Sequence, residues 1–142
     1  MLEDLRAALS QHDWSDGDTP PAVDFRLFFD GNSQEASIAP NRRGGGRPPI
    51  AALYERLREI AARPEVERVL VGLSYEWAEP EHAQGFPPAD SVIIFSSAKP
   101  EVVEGWVQGL ASDGVLAGWP QGKPKNAPDP QPGVRIHCVC WD

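Results

Sequence analysis

The sequence predicts an α/β domain, more narrowly α+β: a ferredoxin-like β-α-β-β-α-β sandwich with a mostly antiparallel sheet and one extra helix at the N-terminus. Three observations lead there. Two amphipathic stretches open on proline, at Pro49 and Pro100, as helices do. Apolar, β-branched runs flank both of them. The run Ser91-Val92-Ile93-Ile94-Phe95-Ser96 has no polar face, as expected of a strand buried on both sides.

The elements follow in order. Leu2, Leu5 and Leu9 recur at helical spacing, with Ala8 beside them, so residues 1–10 open as a short amphipathic helix. His12 to Pro21 is polar, Asp-rich and closed by two prolines, which marks a loop. Val23 to Phe29 alternates and then becomes continuously apolar, a strand stopped by the turn Asp30-Gly31-Asn32. Ala36 to Ala39 suits a short returning strand, and Asn41 to Pro49 a loop. From Pro49 to Arg63, Ile50, Leu53, Leu57 and Ile60 form one apolar helix face that Pro64 ends. Val66 to Trp77 reads as a strand and Ala78 to Ala89 as a proline-rich loop. After Pro100, Val102, Val103, Trp106, Val107 and Leu110 form the core face of a second helix. Residues 111–132 are rich in Gly and Pro and read as irregular, and Val134 to Trp141 is a final strand. The strands and helices over 23–141 form one core. Its open sheet face needs a cover, from the N-terminal helix or from the segment 111–132.

Length and composition bound the function. A chain of 142 residues suits a single domain over 1–142, and at this size about two-thirds of the unfolded surface is buried on folding. No run of apolar residues is long enough to span a membrane. The acidic start Met1-Leu2-Glu3-Asp4 has no apolar signal core, so cytoplasmic residence is expected. The net charge is −8, from 21 acids against 13 Lys and Arg. A field of that sign repels nucleic acid and anionic membranes and attracts basic proteins.

The charge is blocked. Residues 1–39 carry Glu3, Asp4, Asp13, Asp16, Asp18, Asp24, Asp30 and Glu35 against Arg6 and Arg26. Residues 64–105 are acidic again, with only Arg68 and Lys99 opposing. Between them lie Arg42, Arg43, Arg47, Arg56, Arg58 and Arg63. Within the acidic blocks, two loops each hold an indole: Asp13, Trp14, Asp16 and Asp18 in one, Glu76, Trp77, Glu79 and Glu81 in the other. Trp supplies area that desolvates well, and the acids steer a cationic partner to it. These eight residues are the expected partner-binding set.

Other chemistry has weaker support. The stretch Asn41 to Pro49 joins glycines and Arg42, Arg43 and Arg47 to a helix start, the makings of an anion site. It lacks the lysine and hydroxyl of a phosphate-binding P-loop. Cys138 and Cys140 point to one strand face, but no second pair completes a zinc site, so they are expected to be structural thiols. No local catalytic triad or carboxylate dyad is visible, so no catalytic residue, metal or cofactor is assigned and the chain is expected not to be an enzyme.

The run Asp24 to Asn32, followed by Ser37-Ile38 and Asn41, resembles a family of uncharacterised small acidic bacterial proteins, in which a strand F-F-x-G-N precedes S-I-x-x-N. Pro64-Glu65-Val66, Asp90-Ser91-Val92, Gly118-Trp119-Pro120 and Trp141-Asp142 extend the resemblance over most of the chain. The Arg/Gly insertion at 42–47 and the Cys138/Cys140 pair depart from it. The resemblance implies no reaction. In general build the chain is also similar to immunity proteins of bacterial toxin systems. The expected function is therefore a non-catalytic protein, monomer or homodimer, that occludes the basic active site of a toxin domain. The alternative is a ferredoxin-like regulatory module that binds an anionic ligand through loop 41–49.

Overall fold

A computed structural model describes residues 2–40 and 46–141. Helix α1 (Leu2–Leu9) buries Leu5 and Leu9, and its first-turn acids Glu3 and Asp4 oppose the positive helix end. Strand β1 (Ala22–Asp24) has three residues, and helix α2 (Phe25–Phe29) follows at once. This corrects the strand expected over 23–29. The Asp24 carboxylate accepts from the Arg26 N–H at 2.8 Å and caps the helix. Phe25, Phe28 and Phe29 then fall on one buried face at i, i+3 and i+4. The returning strand expected at 36–39 is instead a single 3-10 turn, Glu35–Ser37, followed by one isolated bridge from Ile38 to Ala89. A positive φ of 47° at Ala39 ends any extended run there.

Helix α3 (Ile50–Ala61) buries Ile50, Leu53, Leu57 and Ile60, as their spacing requires. Strands β2 (Val66–Leu73) and β3 (Ala89–Ser96) pair antiparallel. β2 stops short of Trp77, which lies in the turn that follows it. Helix α4 (Pro100–Trp106) buries Val103 and Trp106 and leaves Val102 exposed, so Val102 does not join the core. Strand β4 (Gly114–Ala117) lies inside the segment expected to be irregular, and β5 (Arg135–Cys140) closes the sheet.

The architecture is α+β, with an open five-stranded sheet and four helices among the described residues. The strand order is β1-β2-β3-β5-β4, and every neighbouring pair is antiparallel. The ferredoxin-like order is corrected, because it needs the first strand inside the sheet beside the third. A three-residue β1 that ends in a helix cap cannot fill a central position, and it sits at the edge. One split β-α-β unit does occur: β3 and β4 both oppose β5, so β3–α4–β4 is a parallel crossover with β5 between its strands.

The middle of the sheet is buried on both faces, while β4 at the edge is largely exposed. Val69, Val71, Val92, Ile94 and Val139 point into the main core, shared with the helices. Leu70, Ile93, Phe95 and Cys138 point the other way, under Trp119, Val134 and Ile136. Segment 118–134 is therefore the second cover. It is pinned by Trp119 edge-on to Phe95 at 6.1 Å and by the Glu67 carboxylate, which accepts from the Gln131 N–H at 2.8 Å. The Asn126 side chain accepts from the Ala22 N–H at 3.3 Å and donates to its carbonyl at 2.7 Å. It thus takes the place of a further strand on the open edge of β1.

His137, 2% exposed, faces the main core with its Nε2 3.4 Å from the Ser96 carbonyl. Burial pushes its pKa below the ordinary histidine value, helped by the charge of Arg135 and opposed by the Ser96 carbonyl. The unfolded chain binds a proton near the ordinary value of about 6.5, where the folded chain does not. The contribution of His137 is thus complete above that pH and is lost as pH falls toward the folded value. The midpoint of urea unfolding is expected to fall between about pH 7.5 and pH 5.5. His137→Gln should flatten that slope, and equal slopes for the two proteins would contradict the assignment.

Candidate partner-binding face

The two acidic loops meet. One follows α1: the Trp14 indole N–H donates to the Leu9 carbonyl at 2.9 Å, using an orphan acceptor at the helix end. Beyond it, the Asp18 carboxylate accepts from the Ser15 N–H at 2.8 Å and folds residues 15–18 into a tight turn. The other loop follows β2, where the Trp77 N–H donates to the Ser74 carbonyl at 3.0 Å. The loop bases are tied together because the Leu73 N–H donates to the Pro21 carbonyl at 3.0 Å. The two indoles then pack edge to face, with centroids 5.8 Å apart and planes at 80°.

Around that pair lies a hollow of about 320 Å³ lined by Trp14, Asp16, Asp18, Tyr75, Trp77 and Glu79, among others. Five of the eight residues expected from the sequence therefore line one surface. Asp13, Glu76 and Glu81 are exposed and outside that lining. The Glu76 carboxylate accepts from the Ser74 hydroxyl at 3.3 Å, and Glu81 lies 3.7 Å from the His82 ring nitrogen.

Two members of the face were not expected. Tyr75 ends 57% exposed beside Trp77. Lys125, carried in by segment 118–134, sits on the face as an internal cation. Its ammonium pairs with Asp18 at 2.8 Å, donates to the Asp13 carbonyl at 2.5 Å and lies 5.3 Å from the Trp14 ring centroid. The hydrogen bond from Lys125 and that from the Ser15 backbone hold the Asp18 carboxyl below its ordinary pKa. One carboxylate, one carbonyl and one indole thus already hold a primary ammonium here.

Of the expected anion site, Arg47 and the start of α3 fall among the described residues, and both are engaged within the chain. Arg42 and Arg43 lie outside the described residues. The Arg47 side chain, 2% exposed, donates through Nη1 to the carbonyls of Glu35 at 2.6 Å and Ile38 at 2.7 Å, and Nη2 pairs with the Glu35 carboxylate. That carboxylate also accepts from the Ile50 N–H at 3.0 Å, at the start of α3. The anion at this helix end is Glu35, and Arg47 is a buried clamp.

The chain belongs to the uncharacterized protein YfbO family, whose model matches residues 1–139. No curated protein and no solved structure matches it.

Arg47→Ala removes the donor that satisfies two carbonyls and a carboxylate. The expected loss is about 3 kcal/mol of folding stability, measured as a drop in the urea midpoint. A change within about 0.5 kcal/mol, as for an ordinary surface residue, would refute the clamp.

Proposed function

We propose that this protein acts by binding, in the cytoplasm, and that it neutralises a toxin domain by laying its acidic, indole-bearing face over a basic active site. The observation that carries the proposal is the convergence of two acidic loops on the Trp14–Trp77 pair, with Lys125 already seated among them. A lysine or arginine of the partner meets the same three features: carboxylates for charge, an indole face for the cation and a hollow to enter. The acids speed encounter, since steering raises association rates by roughly 10–10³-fold. The indoles hold the complex, because a buried tryptophan anchor is worth about 2 kcal/mol or more.

The alternative, an anionic-ligand module on loop 41–49, would have to draw on Arg42 and Arg43, because Arg47 and the start of α3 are committed to Glu35.

The test is capture of a partner from the native host, followed by protection against a neighbouring secreted effector. The captured protein is expected to be basic at its active site, and its inhibition should weaken steeply with salt. Trp14→Ala and Trp77→Ala should each weaken binding by about 30-fold, and Asp16→Asn with Glu79→Gln should slow association. Lys125→Met should tighten binding, because it removes the internal competitor. A wild-type chain that recovers no partner and protects nothing would end the proposal.

A further inference from the structure

The second face of the sheet holds a cavity separate from the hollow between the indoles, although Pro20 lines both. Its volume is about 330 Å³, within the span of roughly 300–1,000 Å³ typical of small-molecule sites. Gly72, Ile93, Cys138 and Cys140 contribute to its floor, and Leu116 and Trp119 to its walls. Gly72 keeps the floor clear: a Cβ there would lie 2.2 Å from the Ser91 hydroxyl and 3.1 Å from Ile93 Cδ1.

Two thiols stand side by side on that floor. Cys138 and Cys140 are two residues apart on β5, so the pleat turns both to one face, and their Sγ atoms are 3.3 Å apart. Both are free. A disulfide suits the strand poorly, since Cα atoms two apart on an extended chain are about 6.6–6.8 Å apart. That is the far limit of disulfide geometry.

A bridging atom with a narrow bond angle fits the separation at which the two hydrogen-bonded thiols stand. With bonds of about 2.3 Å to sulfur, a linear centre needs the sulfurs about 4.6 Å apart and a tetrahedral one about 3.8 Å. The observed separation corresponds to an angle of about 90° for the same bond length. Among the described residues, no group of three or more His, Cys, Asp or Glu is placed to hold a metal. The pair therefore suits a centre with bond angles near a right angle that takes two protein sulfurs and brings its own third substituent. Trivalent arsenic carrying one organic group has that valence and shape, and Ile93, Leu116 and Trp119, which line the same cavity as Asp90 and Asp113, give the group apolar surface to lie against.

We infer that Cys138 and Cys140 chelate trivalent mono-organoarsenicals, with the organic substituent lodged against Ile93, Leu116 and Trp119. In the binding step two As–S bonds form and two As–O bonds of the hydrated arsenical break. Each thiol proton leaves with a hydroxyl as water, and arsenic stays trivalent, so no electron is transferred. The hydrogen bond with Cys140 and burial push the Cys138 pKa up, with the charge of Asp90 adding to them.

The test uses the full reduced chain, phenylarsine oxide and intact-mass measurement. One adduct per chain is expected, resistant to excess monothiol and removed by 1,2-ethanedithiol. Cys138→Ser and Cys140→Ser should each lose the probe to monothiol about 100-fold more readily, because the second bond is no longer intramolecular. Leu116→Trp fills the cavity with both thiols intact, and circular dichroism checks that each variant is folded. It should weaken phenylarsine oxide about tenfold and leave inorganic arsenite unchanged. Single-thiol variants that hold the probe as well as the parent would overturn the site. So would a Leu116→Trp chain that treats both arsenicals as the parent does, or that weakens both alike.

Discussion

Strand β3 can leave neither of its faces in water. Val92 and Ile94 point to one side and Ile93 and Phe95 to the other, and all four are buried. Such a strand belongs in the interior of a sheet that is covered twice. The helices supply one cover. Segment 118–134 supplies the other, and its prolines and glycines are compatible with that role because the cover needs side chains at a few points and no regular ladder. Trp119 closes over Phe95, and Asn126 satisfies the outer edge of β1.

The same cover couples the second core to the acidic face. It runs past residue 124 and delivers Lys125 to Trp14 and Asp18. An exposed pair of this kind is worth only about 0–1 kcal/mol, so Lys125 holds the face together without closing it to a stronger cation. On the opposite side, the Leu73–Pro21 hydrogen bond sets the two loop bases together, and the register of β1 on β2 does the rest. A surface built by edge-strand pairing and a distant lysine is thus part of the fold rather than an appendage.

Charge inside the molecule follows similar economy of parts. The basic block between the two acidic ones does not simply face solvent: Arg47 turns inward to Glu35, and Arg56 donates to the carbonyls of Trp106 at 3.1 Å and Gln108 at 2.7 Å at the end of α4. Guanidinium groups used in this way satisfy carbonyls that helix and loop ends would otherwise leave unpaired.

Local periodicity was enough to locate α1, α3, β2, β3 and β5, because each has an apolar pattern that only one secondary structure buries. It also marked Trp14 and Trp77 with their acids, since composition alone identifies a ring among carboxylates. It misplaced Phe25–Phe29, where a nearly continuous apolar run fits either period and the Asp24 cap decides. Strand β4 was invisible, as four residues with mixed exposure become a strand only through their ladder with β5. Strand order, the meeting of the two indoles, the seat of Lys125 and the separation of the two sulfurs belong to tertiary structure alone. Each joins residues distant in sequence or depends on side-chain rotamers, and no local pattern carries the free energy of a non-local contact.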